Sequence, residues 1–492
     1  MGFCYMAVKQ STFLFDVRGG INQHDKLHVI PDNQLRLAQN VEVRYGGLKK
    51  RAGYVKNPTT VMGTSRIGSL YWGRKTDAAK TAYLFGSEGT NVKYWDGSAW
   101  VALITGGTAG TRWGYTIARG NIFMTSVNDG FYMWDFISPP GISFVQLLYY
   151  EFVIAHVDRI WRVRERDNPS LSAITKVFTN YGAEHMWEIP STEADQWITG
   201  IMKMHNQLHV FTKQDIIRVP GYGPSQWRRN LVDTQAGMWA SRSLETFPDG
   251  FALYLGINDI YMYPGDIPTA VGRPHIQDIL DDINMTYIEN ACAMKIADEY
   301  WLSYTSRSGG GTVNNRTIVI NTSASPWAFN GPYTYGFEAA TVRRDTTGEI
   351  AYFGSTSIGQ VYQAKSGTSD DGAAIAIDVQ TKSYMLNAVQ RQELIDLAIF
   401  GEISEGSTVT VKYKIDFASS WTTLGVVGMS ASGAHEGYRD DSTSTRTYIF
   451  HPIKFPDGTT GRFIQIQLTE SSTNAISIHG IEIRHQDAAF RR

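Results

Sequence analysis

Five hairpins of one make recur between residues 84 and 363, and a single sheet cannot use them all. Each sets two short runs of branched or aromatic residues on either side of a Gly, Asn, Asp or Ser turn. They fall at 84–95, 122–134, 209–219, 253–263 and 351–362; Ile122-Phe123-Met124-Thr125, the turn Asn128-Asp129-Gly130 and Phe131-Tyr132-Met133-Trp134 show the pattern. Turn residues that tolerate positive φ between strand formers are a hairpin signal. A further apolar segment precedes most of them, marked by Trp72, Trp113, Phe152, Trp197, Trp239, Met294 and Phe337. The marks recur every ~40–45 residues, the period of a four-stranded propeller blade. One small sheet cannot cover both its faces, whereas radial stacking of several does so and leaves only short edges. The expectation is an all-β chain: a β-propeller of about six to seven blades over 67–364, with an N-terminal extension at 1–66 and a β-sandwich-like domain at 365–492.

The gap from Trp239 to Met294 exceeds the period by roughly ten residues, and a helix accounts for it. Ile276, Ile279, Leu280 and Ile283 share one face at helical spacing within 274–287. The small, polar run 364–372 reads as a linker. Beyond it, apolar and polar residues alternate at 375–379, 394–400, 408–413, 462–468 and 475–484, as in an antiparallel sandwich. The polar stretch 430–446 reads as a long exposed loop.

Composition narrows the function. Phe, Trp and Tyr make up 12% of the 492 residues, 47 are Gly, and only 19% are charged, the usage of many short strands and tight turns. With 45 basic and 47 acidic residues the formal charge is −2, against a dedicated nucleic-acid binder with a basic face. Two cysteines, Cys4 and Cys292, make neither a disulfide framework nor a four-cysteine zinc site. No apolar run reaches the ~18 residues of a membrane span, and residues 1–15 lack the parts of a secretory signal, so no membrane anchor is expected.

Catalytic motifs are missing too: no phosphate loop, dinucleotide fingerprint, HExxH or nucleophile elbow can be placed. His205 and His209 on one strand face stand ~13 Å apart, too far to share a metal. The acid pairs Asp281-Asp282 and Asp440-Asp441 read as solvated turn and helix residues. Ser126 to Trp134 resembles the Asp-box turn of sialidases, itself a structural turn. The expectation is therefore no enzyme, no cofactor and no metal. A propeller glycan-binding or glycan-cleaving protein of the sialidase kind is the alternative. One charge cluster stands out: Arg44, Lys49, Lys50, Arg51 and Lys56 carry no acid between them, a candidate contact with an acidic protein neighbour or with DNA phosphates.

The N-terminal segment carries a resemblance. Gly19-Gly20-Ile21-Asn22, Ile30-Pro31-Asp32, Ala38-Gln39-Asn40-Val41 and Gly47-Leu48-Lys49-Lys50-Arg51-x-Gly53-Tyr54 stand in an order that resembles the opening of short-tailed bacteriophage tail nozzle or hub proteins. That group includes the packaged-DNA stabilisation proteins. The resemblance implies a virion structural protein, assembled in the host cytoplasm as a homohexameric ring below the portal and adaptor (head–tail connector) proteins. It also implies tail fibre or spike proteins as neighbours and double-stranded DNA passing through, with a gate that retains the genome and opens for ejection.

Overall fold

Strands occupy most of the chain, as the alternation of branched and aromatic residues requires. The computed structural model describes residues 10–14, 17–44, 46–75, 81–118, 120–136, 143–146, 150–156, 159–164, 173–179, 183–188, 198–221, 228–346, 348–404, 407–428 and 446–488. The expected loop at 430–446 and Cys4 fall almost wholly or wholly outside these residues.

The hairpin repeat builds a β-propeller. Four-stranded antiparallel sheets form at 67–104, 113–146, 150–188, 198–233 and 245–270. A sixth unit comprises the strands Cys292–Ile296, Glu299–Tyr304, Arg316–Asn321 and Ala328–Tyr333. A seventh starts with Ala340–Asp345, Gly348–Gly354 and Val361–Ala364. Its fourth strand is Tyr54–Lys56, from far upstream, with Tyr54 opposite Ala364 and Lys56 opposite Tyr362. The first strand of blade 1 touches the first strands of blades 2 and 7, so the ring closes on itself.

Side chains between blades make the core. Phe85, Val92 and Tyr94 of blade 1 pack with Trp113, Ile122, Met124 and Trp134 of blade 2. Met202 and Phe211 of blade 4 meet Ala252, Tyr254 and Tyr263 of blade 5. Tyr71 stacks on Tyr115 across the first joint with centroids 5.5 Å apart, an arrangement that adds ~0.5–1.5 kcal/mol to burial. Trp72, Trp113, Phe152 and Met294 lie in the first strands of their blades, whereas Trp239 and Phe337 sit in the approaches to theirs. The excess before Met294 is the nine-residue helix Arg273–Asp281 followed by a 3-10 turn, Met285–Asn290. Ile276, Ile279, Leu280 and Ile283 are buried against blades 5 and 6. Asp259 serves as the helix's external cap, accepting from the Gly272 and Arg273 backbone N–H groups at 2.8 and 3.0 Å.

The C-terminal residues form two sheets around one core. Strands Ile375–Thr381, Phe463–Ser472, Thr408–Ile415 and Thr422–Gly428 lie side by side. Facing them, Gln392–Ser404 runs between Ile476–Asp487 and Arg446–Lys454. Leu397, Ile399, Val411, Ile464, Leu468, Ile481 and Ile483 are buried between the layers. Each such side chain contributes about 1.5–3 kcal/mol on leaving water.

The N-terminal residues do not stand apart as an extension. Gln10–Leu14 adds to Ile476–Asp487. Leu35–Gln39 lies between blade 6 and the sandwich strand Ile375–Thr381, merging the two into one ten-stranded sheet. The hairpin Val41–Arg44/Gly47–Lys50 packs on Ile476–Asp487, and Tyr54–Lys56 completes blade 7. The segment is short of apolar stretches long enough for its own core, so its strands pair with edges elsewhere.

Candidate functional site at the domain junction

The end of blade 6, the linker and the sandwich are joined through Asn40 and Arg51. Asn40 follows strand Leu35–Gln39 with φ 56°, a left-handed turn that Asn tolerates better than most residues. Its fully buried amide donates to Thr334 Oγ1 at 2.9 Å and to the Ala376 carbonyl at 2.6 Å. Its Oδ1 accepts from Arg51 Nε and from the Thr334 backbone N–H, each at 2.9 Å. Four bonds use the amide's two donors and both acceptor positions.

Arg51 is 1% exposed. Its guanidinium forms a fork on Asp370 of the linker, at 2.8 and 2.5 Å, and lies over Tyr335 and Tyr333 at 4.7 and 5.3 Å. Burial opposes the charge, but Asp370 and the tyrosines outweigh it, so the pKa rises above the ordinary arginine value. Beside it, burial pushes the Tyr54 hydroxyl up to about 12, with Asp370 adding to the shift. Two glycines permit these approaches. A Cβ on Gly53 falls 1.8 Å from the Ser369 carbonyl oxygen. Gly20, at φ +69°, lies against the Phe329 backbone, where a Cβ falls 2.5 Å from its oxygen.

The five bases of the sequence cluster therefore have separate fates, a correction to the picture of one shared basic face. Lys50 is buried, with Nζ 2.9 Å from Glu470 Oε2 and donating also to the Ser472 carbonyl. Arg51 is committed to Asp370. Lys56 makes a surface pair with Asp371 at 2.9 Å, which raises its pKa. Lys49 is exposed, and Arg44 lies on the hairpin strand Val41–Arg44. Lys49, Lys50, Arg51 and Lys365 line a 470 Å³ cleft, together with Glu42 and Glu402. Buried pairs hold the cleft's shape, and Lys49 is the exposed cation of its lining. Alternation hinted at this split, since Leu48 and Lys50 share the opposite face from Lys49. Asp370 and Glu470 escaped sequence reasoning because their partners are hundreds of residues away, and the motif residue Asn40 gave no sign of Thr334 and Ala376, which are as distant.

The other candidates resolve into structural roles. His205 sits in a turn at φ 49°, while His209 is buried, its Nδ1 2.9 Å from the Tyr263 hydroxyl. Burial pushes His209 down to about 4. Ser126 Oγ accepts from the Asn128 and Asp129 backbone N–H groups at 3.1 Å and donates to Asp129 Oδ2 at 3.0 Å, which closes the Asp-box-like turn. Asp282 accepts from the Ser308 backbone N–H at 2.8 Å, holding a loop, and Asp281 pairs with Arg273. Burial raises the Cys292 thiol to about 12, far from a reactive thiolate. Among the described residues, no group of three or more His, Cys, Asp or Glu side chains is placed to hold a metal ion, and no helix is long and apolar enough to cross a membrane. Asp440 and Asp441 lie outside the described residues.

No family model matches the chain, and no curated protein matches it. Among solved structures it is similar to YCF48 bound to D1 peptide, at 9% identity and TM-score 0.40, over 64% of this chain and 95% of that one. It is similar to the computationally designed Ika8 protein at 10% identity and TM-score 0.36, over 64% and 99%. The extracellular domain of the putative hybrid two component system BT4673 from B. thetaiotaomicron aligns at 10% identity and TM-score 0.31, over 75% of this chain and 52% of that one. The architecture itself is plain from the strand pairing: an all-β chain whose β-propeller carries additional antiparallel sheets.

Proposed function

We propose that this chain is a structural component of a short-tailed bacteriophage tail, a nozzle or hub subunit. In this reading six copies form a ring that continues the portal channel, retains packaged DNA and opens for ejection. Portal or adaptor proteins and tail fibre or spike proteins are its neighbours. It works by shape and charge, with no covalent step. The observation that supports this is the placement of the resemblance motif. Gly20, Asn40, Arg51, Gly53 and Tyr54 are the residues that join propeller, linker and sandwich. The motif thus marks a whole architecture rather than one loop. A near-neutral chain also suits a channel that lets DNA slide, since phosphate affinity grows with each neutralising cation.

Light scattering and negative-stain images of the purified protein, alone and with portal protein, test the reading. Six-fold rings or portal-bound rings are expected. A chain that stays monomeric in both and is missing from particles overturns it. Within such rings Lys49→Glu is the informative change, because the side chain is exposed and the fold does not depend on it. Weaker assembly or earlier DNA loss is expected; particles with normal genome retention remove Lys49 from the interface.

A further inference from the structure

The joint between blades 7 and 1, where the ring closes, contains a 420 Å³ cleft. Its walls come from two first strands. Trp72 and Arg74 stand two apart on Ile67–Arg74, and Arg343 and Asp345 stand two apart on Ala340–Asp345, so each pair faces one side. The Trp72 backbone N–H donates to Thr341 Oγ1 at 2.9 Å and ties the strands together. Tyr352 stacks on Trp72 with centroids 6.3 Å apart and planes 16° from parallel. The Arg343 guanidinium lies over the Trp72 ring at 5.2 Å and pairs with Asp345 and the Tyr352 hydroxyl. Trp95, Asn57 and Ala82 are also in the lining.

Two features set this cleft apart from a packing defect. The charged residues that line the cleft are Arg74, Arg343 and Asp345; the last two cancel, so the lining carries a net positive charge, that of Arg74. The Nε–H of Arg74 and the Nε1–H of Trp72 are both buried without an acceptor. A buried donor without an acceptor is costly, and such groups in native folds call for an explanation. Both belong to side chains of the same cleft, and both lack the same thing, an oxygen acceptor.

We propose that the seam cleft is a binding site for a carboxylate-bearing sugar, such as a uronic acid residue of an acidic polysaccharide. The net charge of the lining matches one carboxylate, not the near-double charge of a terminal phosphate. Arg74 supplies the planar fork that a carboxylate takes. Trp95 supplies ring surface for the apolar side of a pyranose, and Asn57 and Asp345 supply hydrogen bonds for hydroxyls. The volume lies within the roughly 300–1,000 Å³ of small-molecule sites. The inference stands on this geometry and is independent of the tail assignment.

The test uses the full chain and tryptophan fluorescence titration, confirmed by calorimetry, with methyl β-D-glucuronide as probe. Methyl β-D-glucoside and adenosine monophosphate are the other arms. Saturable glucuronide binding is expected, with the glucoside at least tenfold weaker and the nucleotide weaker than the glucuronide. Arg74→Gln weakens the glucuronide at least tenfold, and Arg74→Lys falls between. Ala82→Phe, which fills the cleft without touching its charges, abolishes binding. Equal affinity for glucoside, tighter nucleotide binding, an unchanged Arg74→Gln protein of native circular dichroism, or no binding at 20 mM probe overturns the proposal.

Discussion

Arg51 and Asp370 form a pair that is valuable only while both members remain. The Arg51 side chain is 1% and the Asp370 side chain 13% exposed, so loss of the cation strands a carboxylate and the Asn40 Oδ1 together. Arg51→Met is expected to lower unfolding free energy by about 3–5 kcal/mol, and Arg51→Met with Asp370→Leu to recover much of it. Urea midpoints of the two variants check this; a double variant no better than the single one contradicts it. His209 gives a pH dependence of definite sign. Burial, opposed by the Met204 carbonyl, holds its folded pKa at about 4, against ~6.5 when unfolded. The unfolded chain then binds the extra proton, so stability present above pH ~6.5 falls towards pH ~4 by up to about 3 kcal/mol. His209→Gln should flatten the slope of stability between pH 6.5 and 4. An unaltered slope assigns the acid sensitivity to other groups.

Strands that are local hairpins were legible from the amino-acid pattern, because neighbours in sequence decide them. Ile122 opposite Trp134 and Leu253 opposite Met262 follow from the turn between them. The helix was legible for the same reason, since its Ile276, Ile279 and Leu280 stripe is internal. What could not be read is where Gln10–Leu14, Leu35–Gln39 and Tyr54–Lys56 go, since no local signal names a partner hundreds of residues off. The same limit hid the site: Lys50 and Arg51 look like a solvated turn until Glu470 and Asp370 are brought to them. Long-range pairing also makes a prediction about elements. A protease site inserted between Thr59 and Val61 should cut the chain without releasing the upstream piece, which is paired into both sandwich sheets and blade 7. Size exclusion under native conditions checks it; a free upstream fragment contradicts it.

Across the whole molecule, the ten-stranded sheet makes blade 6 and the sandwich one mechanical body. Hydrogen exchange should find Ala328–Tyr333, Leu35–Gln39 and Ile375–Thr381 opening together, and Asn40→Ala should let Leu35–Gln39 exchange ahead of the others. Independent opening of the two outer strands in the unaltered protein contradicts the coupling. The strand that closes the propeller has a consequence in time as well. Tyr54–Lys56 leaves the ribosome about three hundred residues before Val361–Ala364, a wait of roughly 15–60 s at 5–20 residues per second. Throughout it, blade 7 does not exist, blade 1 has an uncovered flank, and the upstream strands present bare hydrogen-bonding edges to every other nascent chain nearby. Slower synthesis lengthens that exposure, so the yield of folded protein depends on whatever shields those edges until the ring shuts.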